Sequence, residues 1–441
     1  MTHVQIKKPR WRAIAERALV VGAGIGGLTA ALKLHARGID VRVFESAREI
    51  RPLGVGINLL PHSTRELIEL GLGQALAATA IETRALKYLT RYGQEIMEDP
   101  RGLAAGFRWP QYSIHRGALQ MILLHAARQR LGAEAIVTGH HLDGFEQDDE
   151  GVTATFRDRA SDEPRGHYRG DLLIGADGIH SSVRAHLYRN EGPPKFSGMM
   201  MWRGAVESEP FLDGRTMISA GSRKQEAVVY PISQEAARRG RSFINWVAML
   251  RIDGEQPRPE DWSRQGRLED FLPRFTGWNF GFIDIPALFR ATGHILEYPV
   301  VDRDPVDRWS FGRVTLLGDA AHPMYPSGSN GAAQAILDAE ALAAALAEAA
   351  DGGVVSALAR YEAARLPATA TVVLSNRQLG PDRVLQLVDE RIRGPNDDVA
   401  SLVTREELDE VTLGYRRIAG FDVATLNRKG SEADRRRQPA A

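Results

Sequence analysis

The sequence predicts an α/β fold: a parallel-sheet domain, a second domain of mixed β-sheet inserted into it, and a helical C-terminal segment. Three observations carry this. Apolar Ala18 to Val21 runs into a glycine-rich turn, a helix-length segment from Gly26 to Arg37, and a second apolar run from Val41 to Glu45. Residues 18–45 therefore read as one βαβ unit, the start of a parallel sheet. Two further apolar runs, Asp171 to Gly175 and Val314 to Gly318, end in small residues far along the chain, so the sheet is assembled from distant segments. Between them, residues 186–300 change character. Met200 to Val206, Glu226 to Ile232 and Phe243 to Arg251 are aromatic or β-branched, as expected of mixed or antiparallel strands. After Gly331, the Ala- and Leu-rich stretch from Gln334 to Ala350 is strong helix composition.

Composition narrows the function classes. The 441 residues are 43% hydrophobic and 25% charged, which argues against global disorder. Lys plus Arg and Asp plus Glu are 56 each, so no net field draws the chain to nucleic acid or an anionic membrane. With no cysteine, disulfides, thiolate catalysis and Cys-ligated metals are excluded, and no metal site is expected. A reducing cytoplasm fits. Ala339 to Ala350 is the nearest approach to a spanning helix, and Glu340 and Glu348 interrupt it. Residues 1–17 read as a basic N-terminal tail without a secretory apolar run, and residues 427–441 as a charged, solvated one.

Gly22, Gly24 and Gly27 satisfy G-x-G-x-x-G between a strand and a helix, the context that motif requires. Gly22 permits the tight turn, Gly24 lets backbone approach a pyrophosphate, and Gly27 lets helix and strand pack closely. The helix N-terminus then faces the anion. Glu45, 23 residues after Gly22, stands where a ribose-binding acid belongs. Asp177-Gly178 ends the next apolar run and is also a common turn pair; the trailing Ser181 and Arg184 point to a loop pinned against the adenylate half of the same ligand. Gly318-Asp319 ends the third. An acid there would be repelled by phosphates, so Asp319 is expected to accept from sugar or ribityl hydroxyls. His322, just beyond, receives no proton-transfer role.

In this order and spacing, from about residue 18 to 370, the three motifs resemble the class A flavoprotein aromatic monooxygenases. That group includes the salicylate, 3-hydroxybenzoate and 4-hydroxybenzoate hydroxylases. Arg51 to Asn58, Pro110 to Gly117, Met201 to Gly204 and Tyr298 to Pro305 are similar to its phenazine-modifying branch, of the 5-methylphenazine-1-carboxylate 1-monooxygenase type. The resemblance implies a Rossmann-like FAD-binding domain of glutathione-reductase type, formed by residues 18–80, 111–185 and 301–370. It implies a substrate domain from 81–110 and 186–300. Beyond it, residues 371–426 read as a helical segment that covers the substrate mouth or packs on a neighbour, leaving a homo-oligomer open.

The same resemblance puts Gly22, Gly24, Gly26, Gly27, Glu45, Arg116, Asp177, Gly178, Gly318, Asp319, Gly331 and Ala332 on FAD. Arg116 serves the pyrophosphate or ribityl region, where two phosphates need a cation. NADH or NADPH would reduce the flavin, O2 would add at C4a, and an electrophilic oxygen would pass to a small aromatic substrate. Pro326, Gly328, Asn330 and Gly331 form the loop beside flavin C4a and N1, with backbone amides of the Ala-rich helix facing negative charge on the reduced ring. Ser327 and Ser329 depart from the commoner form of this loop on its substrate side. Trp202, Arg203, Tyr230, Trp246, Tyr298, Met324 and Tyr325 are candidate walls of a flat slot, with Arg203 available to a carboxylate. No acid–base pair is discernible. An N-heterocyclic, phenazine-like acid is the expected substrate, losing CO2 if attack is ipso to the carboxylate. The alternatives are a salicylate- or hydroxybenzoate-type hydroxylase and, from another class, a carrier binding FAD or a prenyl group without turnover.

Overall fold

The structure, a computed structural model, describes residues 15–252, 254, 264–348 and 353–428. Its organising element is a five-stranded parallel sheet in the order Val314–Leu316, Leu172–Gly175, Arg17–Val21, Asp40–Glu45 and Ile136–Thr138. All the apolar runs singled out above lie in it, and Ile136–Thr138, too short to stand out in sequence, extends one edge. The central strands are apolar on both faces because helices cover both, as parallel strands require. Helix Ile25–His35 packs against the Ala-rich helix Gly331–Glu348 so closely that a Cβ on Gly26 would come within 2.9 Å of Leu317 and 3.2 Å of Ala335. Of the expected N-terminal tail, residues 1–14 lie outside the described residues, but Ala15 is buried and Arg17 already begins the first strand.

Residues 85–100 and 195–302 build a seven-stranded mixed sheet. Its order is Ile295–Asp302, Lys195–Ser208, Ser242–Arg251, Gln225–Pro231, Thr216–Ser222, Ala85–Leu89, Glu95–Pro100. One pair, Thr216–Ser222 with Ala85–Leu89, is parallel and the rest are antiparallel. Alternation along each strand sends one set of side chains to each face. On the outer face Trp202, Trp246, Ala227, Val229, Ile218 and Phe271 close an aromatic core under the helix Ile285–Ala291. The inner face turns toward the parallel-sheet domain. Strand Gly56–Leu59 is fastened to it at Gly56, whose carbonyl accepts from Tyr230 Oη (2.9 Å) and from Arg203, and whose N–H donates to Asn245 Oδ1 (2.7 Å). No side chain fits there: a Cβ on Gly56 would stand 2.7 Å from the Asn245 Cβ and 2.8 Å from the Tyr230 ring.

The C-terminal helices Gly353–Arg377, Arg383–Asp389 and Arg405–Ile418 fold back over the junction of the two sheets. Thr404 and Glu407 start the last of these with a capping box. Asn427, expected in a loose tail, accepts from Arg108 N (3.0 Å) and donates to the Gly106 carbonyl (2.9 Å); residues 429–441 lie outside the described residues. Among the described residues no helix is long and apolar enough to cross a membrane.

Candidate active site

A cavity of about 1450 Å³ runs between the two sheets. That exceeds the few hundred to 1,000 Å³ or so of an ordinary small-molecule pocket, so it has room for a dinucleotide and a second molecule. One end is built by the glycine turn. Gly22 has φ +105°, and a Cβ there would overlap the Ala176 carbonyl, while a Cβ on Gly27 would overlap the Gly22 carbonyl. Gly24, with open space where a side chain would be, lines the cavity. Glu45 accepts from Ala23 N (3.0 Å) and Ala47 N (2.8 Å), which fixes its carboxylate at the cavity edge with lone pairs to spare. Arg116 opens the helix Arg116–Leu131 and lines the same end; its guanidinium makes no hydrogen bond among the described residues.

The second motif is used differently from the sequence expectation. Asp177 lines the cavity but spends its carboxylate on Ser181 Oγ, Ser182 N (2.7 Å) and Val183 N (3.3 Å), holding the helix Ser182–Leu187; Ser181 caps that helix through Arg184 N (2.9 Å). Arg184 does not reach the cavity. It is buried, pairs with Glu191 and donates to the Ala320 and Ala321 carbonyls at 2.9 and 2.8 Å. It therefore clamps the Gly318–Ala320 turn from behind. In front, Asp319 lines the cavity with its carboxylate close to Gly331, where the Ala-rich helix begins. Enclosure raises its pKa, with Asp338 adding to the rise, while His322 and Arg116 oppose it. His322 is buried behind the turn. It binds Asp338, which also accepts from Gly318 N (3.0 Å) and Arg365 Nε (2.7 Å). Burial alone would raise Asp338; His322 and Arg365 more than offset it and hold it at about 2.

Pro326, Gly328, Ser329, Gly331 and Ala332 line the middle of the cavity. Gly328 (φ +69°) and Ser329 (φ +57°) are left-handed, and the Tyr415 ring covers the place a Gly328 side chain would take. Asn330 also lines the cavity, but its side chain turns into protein, donating to Tyr415 Oη (2.8 Å) and the Gly328 carbonyl (3.2 Å). Tyr415 Oη lies 2.7 Å from Asn376 Oδ1, so the loop is braced by the last long helix.

The inner face of the seven-stranded sheet forms the remaining wall. Arg203, Tyr230, Tyr298, Met324 and Tyr325, all candidate substrate contacts, line it. Trp202 and Trp246 do not. Adjacent strand residues face opposite sides, so Trp202 cannot share a face with Arg203; Trp246 pairs across the ladder with Gly204, on the Trp202 side. Both indoles are buried in the outer core, donating to Glu297 Oε2 (3.1 Å) and Thr292 Oγ1 (2.7 Å). Trp202→Phe is accordingly expected to cost about 1–2 kcal/mol of stability by stranding Glu297, with substrate KM unchanged in steady-state assays. Arg203 and Tyr230 contribute one bond each to Gly56, and Arg203 Nε, buried, has no hydrogen-bond partner.

The residues present fit FAD: a side-chain-free cradle at Gly24, an uncommitted cation at Arg116 and a helix start facing the middle of the cavity suit a pyrophosphate and a ring that gains negative charge. The FAD binding domain family matches residues 16–375. The chain belongs to the flavin-dependent aromatic hydroxylases. It is 50% identical over 362 residues to the phenazine 1,6-dicarboxylic acid hydroxylase PhzS of Lysobacter antibioticus, covering 81% of this chain and 88% of that one. With the 3-hydroxybenzoate 6-hydroxylase of Klebsiella oxytoca it shares 32% over 375 residues, 82% of this chain and 88% of the other. A salicylate hydroxylase solved with its substrate shares the fold, with a TM-score of 0.72 at 24% identity over 93% of this chain and 97% of that one. This hydroxylase is thus an FAD-dependent monooxygenase consuming NAD(P)H and O2, and the carrier alternative is set aside.

Sequence reasoning missed the polar residues at the far end of the hydroxylase cavity: Tyr88, Arg101, Glu226 and Asp382. Glu226 was within reach, since it lies two alternations before Tyr230 on one strand and so on the same face.

Proposed function

We propose that the substrate is a phenazine-type aromatic carboxylate, hydroxylated with loss of CO2 where attack falls on the carboxylate-bearing carbon. The observation that carries this is the 50% identity to a phenazine dicarboxylate hydroxylase. A cavity of about 1450 Å³ whose lining extends past the flavin loop to Tyr88 and Glu226 supports it. Bound FAD would relay two electrons from NAD(P)H to O2, so that one oxygen atom passes to the substrate and the other leaves as water. The chain supplies the rest. Gly22, Gly24, Gly27 and Glu45 hold the adenylate half, Arg116 answers the pyrophosphate, and Asp319 accepts from ribityl hydroxyls. Asp177 and Gly178 shape the loop that covers it, and Gly318 the turn that presents Asp319. Amides at Gly331 and Ala332, at the helix N-terminus, stabilise negative charge on the reduced ring. Pro326, Gly328 and Asn330 fix the loop beside the reacting carbon, Met324 and Tyr325 flank the ring, and Tyr298 closes the slot. In this reading residues 18–80, 111–185 and 301–370 carry the cofactor, residues 81–110 and 186–300 wall the substrate, and the protein works in the cytoplasm.

Substrate-stimulated NADH and NADPH oxidation, screened over phenazine carboxylates and hydroxybenzoates, tests the reading. Stimulation by phenazines is expected; stimulation by hydroxybenzoates alone would replace it with the benzoate-type alternative. Arg203, half-buried with an unpartnered Nε facing the cavity wall, is the carboxylate anchor in this scheme. Arg203→Met is expected to raise KM about tenfold or more for carboxylated substrates while leaving neutral analogues within a few-fold. Equal losses for both would assign the residue to holding Gly56 alone.

A further inference from the structure

The end of the cavity beyond the flavin loop holds two carboxyls, Glu226 buried and Asp382 half-buried. Glu226, Val228 and Tyr230 share the inner face of strand Gln225–Pro231, and Glu226 Oε1 accepts from Ser219 Oγ (2.8 Å) on the neighbouring strand. Facing it is Asp382, at the end of the short turn Gly380–Asp382, whose carboxyl also meets the Ser327 side chain of the flavin loop. The pair thus bridges the substrate wall and the loop beside the reacting carbon. A second observation marks the spot as made for a ligand. Tyr88 is wholly buried and lines the same cavity; its hydroxyl lies beside Arg101 without a well-aligned hydrogen bond, and Arg101 Nε likewise lacks one. Buried polar groups are ordinarily satisfied, so an atom that completes them belongs here when the site is filled.

We propose that Glu226, with Asp382 and the Tyr88 hydroxyl lining the same end of the cavity, is a specificity residue whose carboxylic acid donates a hydrogen bond to a ring nitrogen of an N-heteroaromatic substrate. This rests on the phenazine-type reading above and extends it. A ring nitrogen of a neutral azaarene is an acceptor only, so it needs a donor; a carbocyclic ring of equal shape offers no acceptor and leaves the acid unpaired. Discrimination of that kind is strong because the mismatch strands a buried polar group. Burial raises the Glu226 pKa well above the ordinary carboxyl range and the Asp382 carboxylate raises it further, both favouring the protonated, donating form. The charged groups around the two carboxyls are Arg101, ion-paired to Asp99 at 2.8 Å, Arg416, bonded to the same Asp99, and, around a small adjoining pocket, Arg223, Arg251 and Arg377. The phenols facing them are Tyr88 and Tyr415, both pushed upward by burial. Once Glu226 loses its proton it turns from donor to acceptor and repels the ring nitrogen, so binding weakens as pH rises.

The test titrates the flavin-loaded holoenzyme with phenazine-1-carboxylate and with anthracene-1-carboxylate, its carbocyclic isostere, following the flavin absorbance from mildly acid to alkaline pH. The wild type is expected to favour the phenazine about tenfold at the acid end, with the preference shrinking as pH rises. Glu226→Gln, whose amide still donates, should keep a preference that no longer depends on pH. Glu226→Leu should abolish the preference while still binding the anthracene acid. Asp382→Asn, by removing the neighbouring negative charge, should move the loss of preference to lower pH. Equal binding of the two ligands by the wild type overturns the role of Glu226 and leaves the phenazine reading standing. So does a preference unchanged in Glu226→Leu. A preference that grows with pH means the pair holds a cation and overturns the donor assignment. Binding of neither ligand by flavin-loaded protein overturns the phenazine reading and this role together. Should the leucine variant fail to fold, the pH profiles of the wild type and the glutamine variant decide.

Discussion

Gly22→Ala is expected to purify without flavin and to stay colourless when FAD is added. The residue sits at φ +105°, where any side chain strains the backbone by about 1–3 kcal/mol. A Cβ would also meet the carbonyl of Ala176, which is main chain and cannot swing aside. Relief requires the first strand to part from Leu172–Gly175, and those two strands are held in register from Ala18–Leu172 to Val21–Gly175, with Ala176 N donating to the Val21 carbonyl at 2.8 Å. The turn that gives way is also the one that leaves Gly24 bare toward the cavity. Absorbance at flavin wavelengths after dialysis against FAD, read beside circular dichroism, checks this. A folded variant with wild-type flavin content would show that the turn has slack the geometry denies it.

That turn was legible in the sequence because its determinants are local: a strand, three glycines at fixed offsets and an acid one βαβ unit later. Four of the five strands of the parallel sheet were legible for the same reason, each being a short apolar run ending in small residues or an acid, whereas Ile136–Thr138 is too short to stand out. What the sequence concealed was facing. Trp202 and Arg203 are neighbours, and both are plausible against a flat ring, but a strand admits only one of them to the cavity. The register linking Trp246 to Gly204 and Trp202 to the Glu297 side of the sheet settles which, and register across strands tens of residues apart leaves no mark in composition. Nor does the return of the C-terminal helices, which brings Tyr415 against Gly328 and Asp382 opposite Glu226. Glu226 and Asp382 went unnoticed for the same reason: one carboxyl looked like a strand residue and the other like part of a turn, about 150 positions apart.

Arg184→Met is expected to destabilise the fold and loosen the cofactor site together. The guanidinium is almost wholly buried and lies against Glu191, itself only one-fifth exposed. Methionine fills the stem but leaves that carboxylate short of a partner, although Arg303 remains 3.2 Å away, and strands the carbonyls of Ala320 and Ala321. Removing one member of a buried ion pair costs about 3–5 kcal/mol; the surviving Arg303 contact puts the expectation at the lower end, about 3 kcal/mol in denaturant unfolding. The change also reaches the cofactor, because those two carbonyls follow Asp319 directly in the turn. Loosened from behind, the turn lets the Asp319 carboxylate drift from the start of the Ala-rich helix, and FAD should bind about tenfold more weakly in the folded variant. Arg184→Lys discriminates between the two effects. A single ammonium can meet Glu191 but cannot also span both carbonyls as the planar fork does, so stability should recover in part while flavin affinity stays low. Recovery of both together would mean that charge alone, rather than the two carbonyl bonds, sets the position of the turn.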